Sequence, residues 1–400
     1  MISFPFRQNT IAAGILAASG LTAGLVHAAD NDFEIYGFLQ ADYVQDFKRV
    51  NPNWDDTLRP SRIPTTDGQF GSDGQAIISV RQSRFGVQGT LPVGGQDLFT
   101  RFEIDLFGVG VDEGQTTIRL RHAYGEWGQF LAGQTHSLFM DIDVFPNTID
   151  YWGPAGMVFL RNPQIRWTPI SGTNSFAIAI EKPSNDIDSG QFREIDPGFA
   201  GNVQNTEELP DLTGQFRTNQ DWGHFQLGGI LRKVGYETRG APSNEPKGDE
   251  LGWGLNASTN IKVGDRDKII LSAVYGNGIA SYMNDGGVDL APDGTPANAS
   301  AAAVPLLGLV AYYDHYWNDK WSSSIGYSST EVDNQSLQEG DAFEKGQYAS
   351  VNLLHYPGKN MLVGGELLWG KRTDNNGDTG DDVRVQFTFK YNFSSKDFKG

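Results

Sequence analysis

The sequence predicts an all-β protein: a transmembrane antiparallel up-and-down β-barrel of 16 strands, with short periplasmic turns and long external loops. Three observations carry that prediction. The last long run, DVRVQFTFKYNF at residues 382–393, puts Val383, Val385, Phe387, Phe389, Tyr391 and Phe393 on one parity. Arg384, Gln386, Thr388, Lys390 and Asn392 fall on the other. A period of two is a strand with one greasy and one wet face, suited to lipid outside and a lumen inside. The connections between such runs alternate between tight and long. Beyond the N-terminus no run approaches the ~18 apolar residues of a membrane-spanning helix.

In chain order the alternating segments are 33–47, 76–91, 98–107, 117–127, 129–137, 162–168, 175–182 and 209–219, then 224–236, 251–262, 268–278, 306–316, 321–332, 345–356, 361–371 and 383–393. Connections after even segments are short: 92–97, 128, 169–174, 220–223, 263–267, 317–320 and 357–360. Those after odd segments are longer: 48–75, 108–116, 138–161, 183–208, 237–250, 279–305, 333–344 and 372–382. One tight rim and one looped rim are what an up-and-down barrel requires, with both termini on the tight rim. Aromatics such as Trp127, Phe130, Trp167, Trp222, Trp317 and Trp321 gather beside the short turns, as an interfacial girdle does. The stretch APDGTPANASAAA at 291–303 reads as a surface loop, because alternation resumes after it.

Residues 1–28 read as a secretory signal peptide. Arg7 is the one early charge, an apolar small-residue run follows from Ile11 to Val26, and cleavage is expected after Ala28 or Ala29. The remainder, from residue 29 to 400, reads as one barrel domain. Removal of the signal peptide takes one Arg and no acid, so the formal charge of -18 becomes -19. Such acidity disfavours nucleic acid as a partner. Most of the acids fall in the connections and read as a solvated surface. With no Cys there is no disulfide framework and no thiolate chemistry.

Arginines mark the wet face of several segments. Arg101, Glu103 and Asp105 alternate with Phe102, Ile104 and Leu106; Arg119 and Arg121 oppose Ile118, Leu120 and Tyr124. Arg166 lies between Ile165 and Trp167, with Arg161 just upstream. Arg81 and Arg84 have opposite parity, so at most one points inward unless a bulge intervenes. With Phe85 and Val87 toward lipid, Arg84 is the lumen candidate. A lipid-facing Arg near mid-membrane costs about 2–4 kcal/mol, which favours the lumen for all of them.

The connection 138–161 holds Asp141, Asp143 and Asp150 with Pro146, Trp152, Gly153, Pro154 and Gly156. Long loops in an economical fold tend to be functional, and this one is expected to fold into the lumen as a constriction opposite the arginines. An arc of Arg selects anions and holds carboxylates bidentately. The competing reading is that these arginines only pair with Glu103, Asp105 and the loop acids as structural ion pairs.

RLRHAYGEWGQFLAGQTHSLF at 119–139, TIDYWGPAG at 148–156, RNPQIRWTP at 161–169 and ELPDLTGQF at 208–216 resemble the DcaP-like porins. The resemblance implies an outer-membrane homotrimer of sixteen-stranded barrels passing dicarboxylic and other small anionic acids. It implies that Arg119, Arg121, Arg161 and Arg166 line the pore. Outer-membrane lipid and lipopolysaccharide would surround the wall. Two departures stand out: Asp30 leads almost directly into the first strand, and seven residues follow Phe393.

The remaining motifs are weak. Six His show no metal-ligand spacing, and neither GxSxG nor HExxH occurs. GELLWGK at 365–371 lacks the Ser/Thr of a phosphate loop and sits in a strand. The acidic stretch 374–382 lacks the sixth-position Gly and the terminal Glu of an EF-hand loop. No metal, cofactor or catalytic residue is assigned. The expectation is a passive porin for small anions through an Arg-lined constriction. A general or hydrophobic-solute channel, or an outer-membrane barrel hydrolase, stands as the alternative.

Overall fold

The computed structural model describes residues 32–108, 117–191, 202–295 and 298–398. The expected signal peptide lies outside them, as do most of the connection 108–116 and residues 192–201.

One sheet runs through β1 (Asp32–Asp46), β2 (Gln75–Ser79), β3 (Arg84–Val93), β4 (Gln96–Asp105), β5 (Arg119–Trp127), β6 (Phe130–His136), β7 (Arg161–Ile170), β8 (Asn174–Glu181), β9 (Val203–Thr206) and β10 (Asp211–Gln220). It continues through β11 (Gly223–Thr238), β12 (Gly248–Val263) and β13 (Asp267–Asn277). A separate hairpin, β14 (Leu290–Thr295) with β15 (Asn298–Ala303), stands in the connection that follows. The wall resumes with β16 (Pro305–Asn318), β17 (Trp321–Val332), β18 (Phe343–His355), β19 (Met361–Asp374) and β20 (Thr379–Ser394). Pairing of β20 with β1, Tyr36↔Ser394 through Asp46↔Arg384, closes the barrel.

Every pairing between wall strands is antiparallel. β2 and β3 both lie on β1, one on Asp42–Asp46 and the other on Asp32–Phe38. β9 and β10 likewise share β11. Each couple is one wall position interrupted, so the eighteen strands of the sheet make the sixteen positions the alternation predicts.

Polarity is inverted relative to a water-soluble sheet. On β20, Phe387, Phe389 and Tyr391 are exposed while Arg384, Gln386 and Thr388 are buried; on β1, Leu39 and Tyr43 are exposed while Gln40, Asp42 and Asp46 are buried. An exposed apolar band over a buried polar interior is a wall between lipid and lumen. Trp127, Phe130, Trp167, Trp222, Trp317 and Trp321 are all exposed at the tight rim.

Two connections differ from the sequence reading. The expected long loop 372–382 is a four-residue turn, since β19 and β20 pair as far as Thr373↔Thr379. Its Asn376-Gly377 pair, with Gly377 at φ 86°, is a hairpin signal that the acidic composition masks. The stretch 291–303 is largely the β14–β15 hairpin, with Leu290 and Ala291 fully buried. Beyond the barrel, Ser395 Oγ accepts from Ile35 N–H, and Asp397 pairs with Lys359. The chain end therefore folds back over the closing strands.

Candidate functional site

The arginine wall is built by β3, β4, β5 and β7. Arg84 follows an interruption: Ser83 N–H bonds Val80 C=O, breaking the strand between β2 and β3 and resetting its parity. Arg81 therefore also points inward, donating to Asp56 at 2.6 Å and lying over the Phe107 ring. On β5, Glu103 pairs with His122 and Ile104 with Leu120, which leaves Arg121 as the extra residue of a bulge. Arg119, Arg121 and His122 thus all face inward. Tyr124 turns inward with His122, opposite to its parity in the sequence; it stands beside Arg101 rather than toward lipid.

Two carboxylates serve this wall. Asp105 accepts from Arg119 at 2.8 Å and 3.2 Å, from Arg121 at 2.8 Å and from the Tyr151 hydroxyl at 2.6 Å. Glu103 accepts from Arg121 at 2.7 Å and Tyr36 at 2.8 Å, and lies 3.4 Å from Arg84 Nε. Three guanidinium groups and two phenols thus share two acids. Arg161 joins neither: its Nη1 is buried without a hydrogen-bond partner, and its Cζ lies 5.2 Å from the Phe159 ring centre. Arg101 donates to Gln88 nearer the tight rim, and Arg166 to Gln164 and the His136 carbonyl.

Residues 137–160 run along inward faces of the barrel. At one end Asp141 accepts from Ser258 at 2.7 Å, contacts His224 at 2.7 Å, and with Asp143 receives Arg217. Burial pushes the Asp141 carboxyl up, but His224, Ser258 and Arg217 outweigh it and hold it below the usual range. Asp141, Asp143 and His224 bring ligand atoms within 4.8 Å of one another, and the Arg217 guanidinium pairs with both acids. Further along, Asn352 donates to the Asn147 carbonyl, and Glu366 accepts the N–H groups of Ile149 and Asp150. Gly156 packs backbone to backbone on Gly308, where a side chain on either would collide with the other chain segment.

Asp150 is buried and saturated by the Thr57 hydroxyl, the N–H groups of Leu58 and Gly153, and the Tyr348 hydroxyl. Burial raises its pKa above the usual carboxylate value. None of Asp141, Asp143 and Asp150 contacts Arg119 or Arg121; the residue of this loop that reaches those two is Tyr151, stacked on Phe107 with ring centres 3.8 Å apart.

Between wall and loop lies a cavity of ≈ 300 Å³ lined by Arg59, Arg119 and Arg161, the rings of Tyr151, Trp152 and Phe159, and Asn284. No carboxylate lines it among the described residues. Arg59 was not a sequence candidate. It comes from the connection 47–74, pairs with Asp285 at 2.9 Å, and lies between the Trp54 and Trp152 rings at 4.2 and 4.3 Å. The connection balances four bases against four acids, so composition does not single Arg59 out.

No curated protein matches the chain. Among solved structures, the outer membrane channel DcaP of Acinetobacter baumannii aligns at 24% identity and TM-score 0.78, over 93% of this chain and 100% of that one. In vitro folded OmpT, an outer membrane protein of Vibrio cholerae in trimer form, aligns at 11% and 0.53 over 91% and 99%. Salmonella typhi OmpF in complex with daunomycin aligns at 12% and 0.53 over 91% and 98%. At these identities the structures establish the barrel. The DcaP outer membrane protein family model matches residues 19–393; the chain belongs to that family.

Proposed function

We propose that this outer-membrane channel passes small anionic solutes, dicarboxylates among them, by passive diffusion past the arginine wall. The carrying observation is the ≈ 300 Å³ cavity lined by three arginines and no carboxylate, with Arg161 Nη1 buried and unpartnered. An unmet buried guanidinium N–H is costly, and a passing carboxylate relieves that cost. Arg119 and Arg121 retain Asp105 and Glu103 as resident counter-ions, which keeps the anion's binding weak enough for release. The loop 137–160 narrows the passage, with Tyr151 and Phe159 at its edge. The OmpT precedent and the exposed apolar wall support a homotrimer set in outer-membrane lipid and lipopolysaccharide, exported after cleavage at Ala28 or Ala29.

The test is the reversal potential of the purified protein in a planar bilayer under a KCl gradient, with and without succinate. Anion preference with current block is expected, and R161Q should weaken both. Cation preference without block would make it a general channel dominated by its acidic loops.

A further inference from the structure

The even face of β20 carries one more cation, Lys390, close to the tight rim. Its Nζ lies 3.8 Å from the centre of the Phe38 ring, and Arg84 Cζ lies 5.0 Å from the same ring. One phenyl group thus stands between two cations. No carboxylate lies within ion-pair distance of Lys390 among the described residues. Among the described residues Arg84 has one carboxylate contact, with Glu103 at 3.4 Å, whose oxygens already serve Arg121 and Tyr36.

Lys390, Arg84 and Arg121 line a second cavity of ≈ 330 Å³, together with Phe38 and Gln40. The one acid in its lining is Asp150, whose oxygens are committed to Thr57, Leu58, Gly153 and Tyr348. Asp42, behind it, is taken up by the amides of Gln40, Gln82 and Gln386. Leu362, at the start of β19, places this cavity toward the tight rim. The first cavity draws Arg59 and Asn284 from long connections and lies toward the looped rim. Tyr151 and Phe159 line both.

We propose that Arg84, Arg121 and Lys390 form a second anion station in series with the Arg119–Arg161 station, an organic carboxylate passing from one to the other past Tyr151 and Phe159. The physical reason is flux. A single strong site holds its ion, whereas two adjacent weaker sites let an arriving anion repel the resident one onward. Lys390, a point charge on a flexible stem, suits release toward the rim better than a bidentate clamp does. The second station rests on the anion reading above.

The test is single-channel recording of the full-length protein in a planar bilayer, with succinate added to one side at a time. Wild type is expected to show two classes of block with distinct dwell times. K390Q should shorten one class roughly three- to tenfold, the loss of one charge-assisted contact, and leave the other in place. R161Q should do the reverse, and K390R should restore the first class. Retained heat-modifiable gel mobility in K390Q checks that the barrel is intact. Block by succinate that responds to R161Q but not to K390Q would overturn the second station and spare the anion reading. One class shortened by both variants would mean a single station. No block of wild type from either side would overturn both.

Discussion

Two walls of one barrel have the same alternation and opposite interiors. On β13, β16, β18 and β19 the inward residues Ile270, Val310, Tyr312, Tyr348 and Leu368 are buried against Val50, Leu58 and Ile63 of the connection 47–74, and against Val144, Ala155 and Met157 of the loop 137–160. On β3, β4, β5 and β7 the inward residues are Arg84, Glu103, Asp105, Arg119, Arg121 and Arg161. Two buried carboxylates make the contrast sharp. Glu366 holds two loop N–H groups and Asn352; Glu103 holds Arg121 and Tyr36. One wall uses its polar atoms to seat loops. The other leaves guanidinium donors in excess.

The largest expected effect comes from the guanidinium on the seated side. Arg384 is fully buried and donates to Asp46 at 2.7 Å, Asp382 at 3.1 Å and the Asp55 carbonyl at 2.9 Å. R384A strands two buried acids, a change that costs about 3–5 kcal/mol. The temperature at which the barrel loses its compact gel mobility should fall well below that of wild type. An unchanged transition would show that the charge triad contributes nothing to the closing strands.

E366A comes next. It leaves the N–H groups of Ile149 and Asp150 and one N–H of the Asn352 amide without their acceptor, at about 1–3 kcal/mol for an unsatisfied buried group. Because those N–H groups hold the loop to β19, the expected readout is conductance: larger and noisier single-channel currents with the barrel still folded. Quiet currents of wild-type size would mean that Gly156 and the apolar contacts suffice.

R161Q, on the opposite wall, should barely move the unfolding transition, since Arg161 has no ion pair among the described residues to lose, while anion selectivity falls. If R161Q unfolds as readily as R384A, the two walls do not differ in the way their contacts indicate.

How much of this contrast the sequence carries varies by residue. Alternation alone locates all sixteen wall positions and turns Arg84, Arg119 and Arg121 inward, because a side chain on a strand has only two directions. It cannot register an interruption: the break at 80–83 sends Arg81 inward too, and the bulge at Arg121 reverses Tyr124. The filled wall leaves a trace that strict alternation overlooks. β13 and β16 contain IILSAVY and LLGLVAYY, apolar on both parities, and such runs mark strands covered on both faces. The hydrogen bonds of Asp141 and Asp150 were beyond reach, since nearly all their partners lie on strands or in a connection distant in sequence. Arg59 was equally hidden, its place set by two tryptophans from different connections.

The smallest effect concerns the connection 47–74 that covers the filled wall. Burial and the charge of neighbouring Asp56 raise Asp55 from 3.8 to about 6. The folded protein therefore holds this proton more tightly than the unfolded chain does. Between about pH 4 and pH 6 the unfolded chain has released this proton while the folded protein still holds it, so each step upward lowers stability; the contribution favours the fold at acid pH and is lost as pH rises through 6. D55N should abolish that dependence. At pH 7.5 the variant should unfold a few degrees above wild type, and at pH 5 the gap should narrow as Asp55 protonates. A constant gap at both pH values would mean that Asp55 titrates like an exposed carboxylate, and that the seated loop is as wet as the arginine wall it faces.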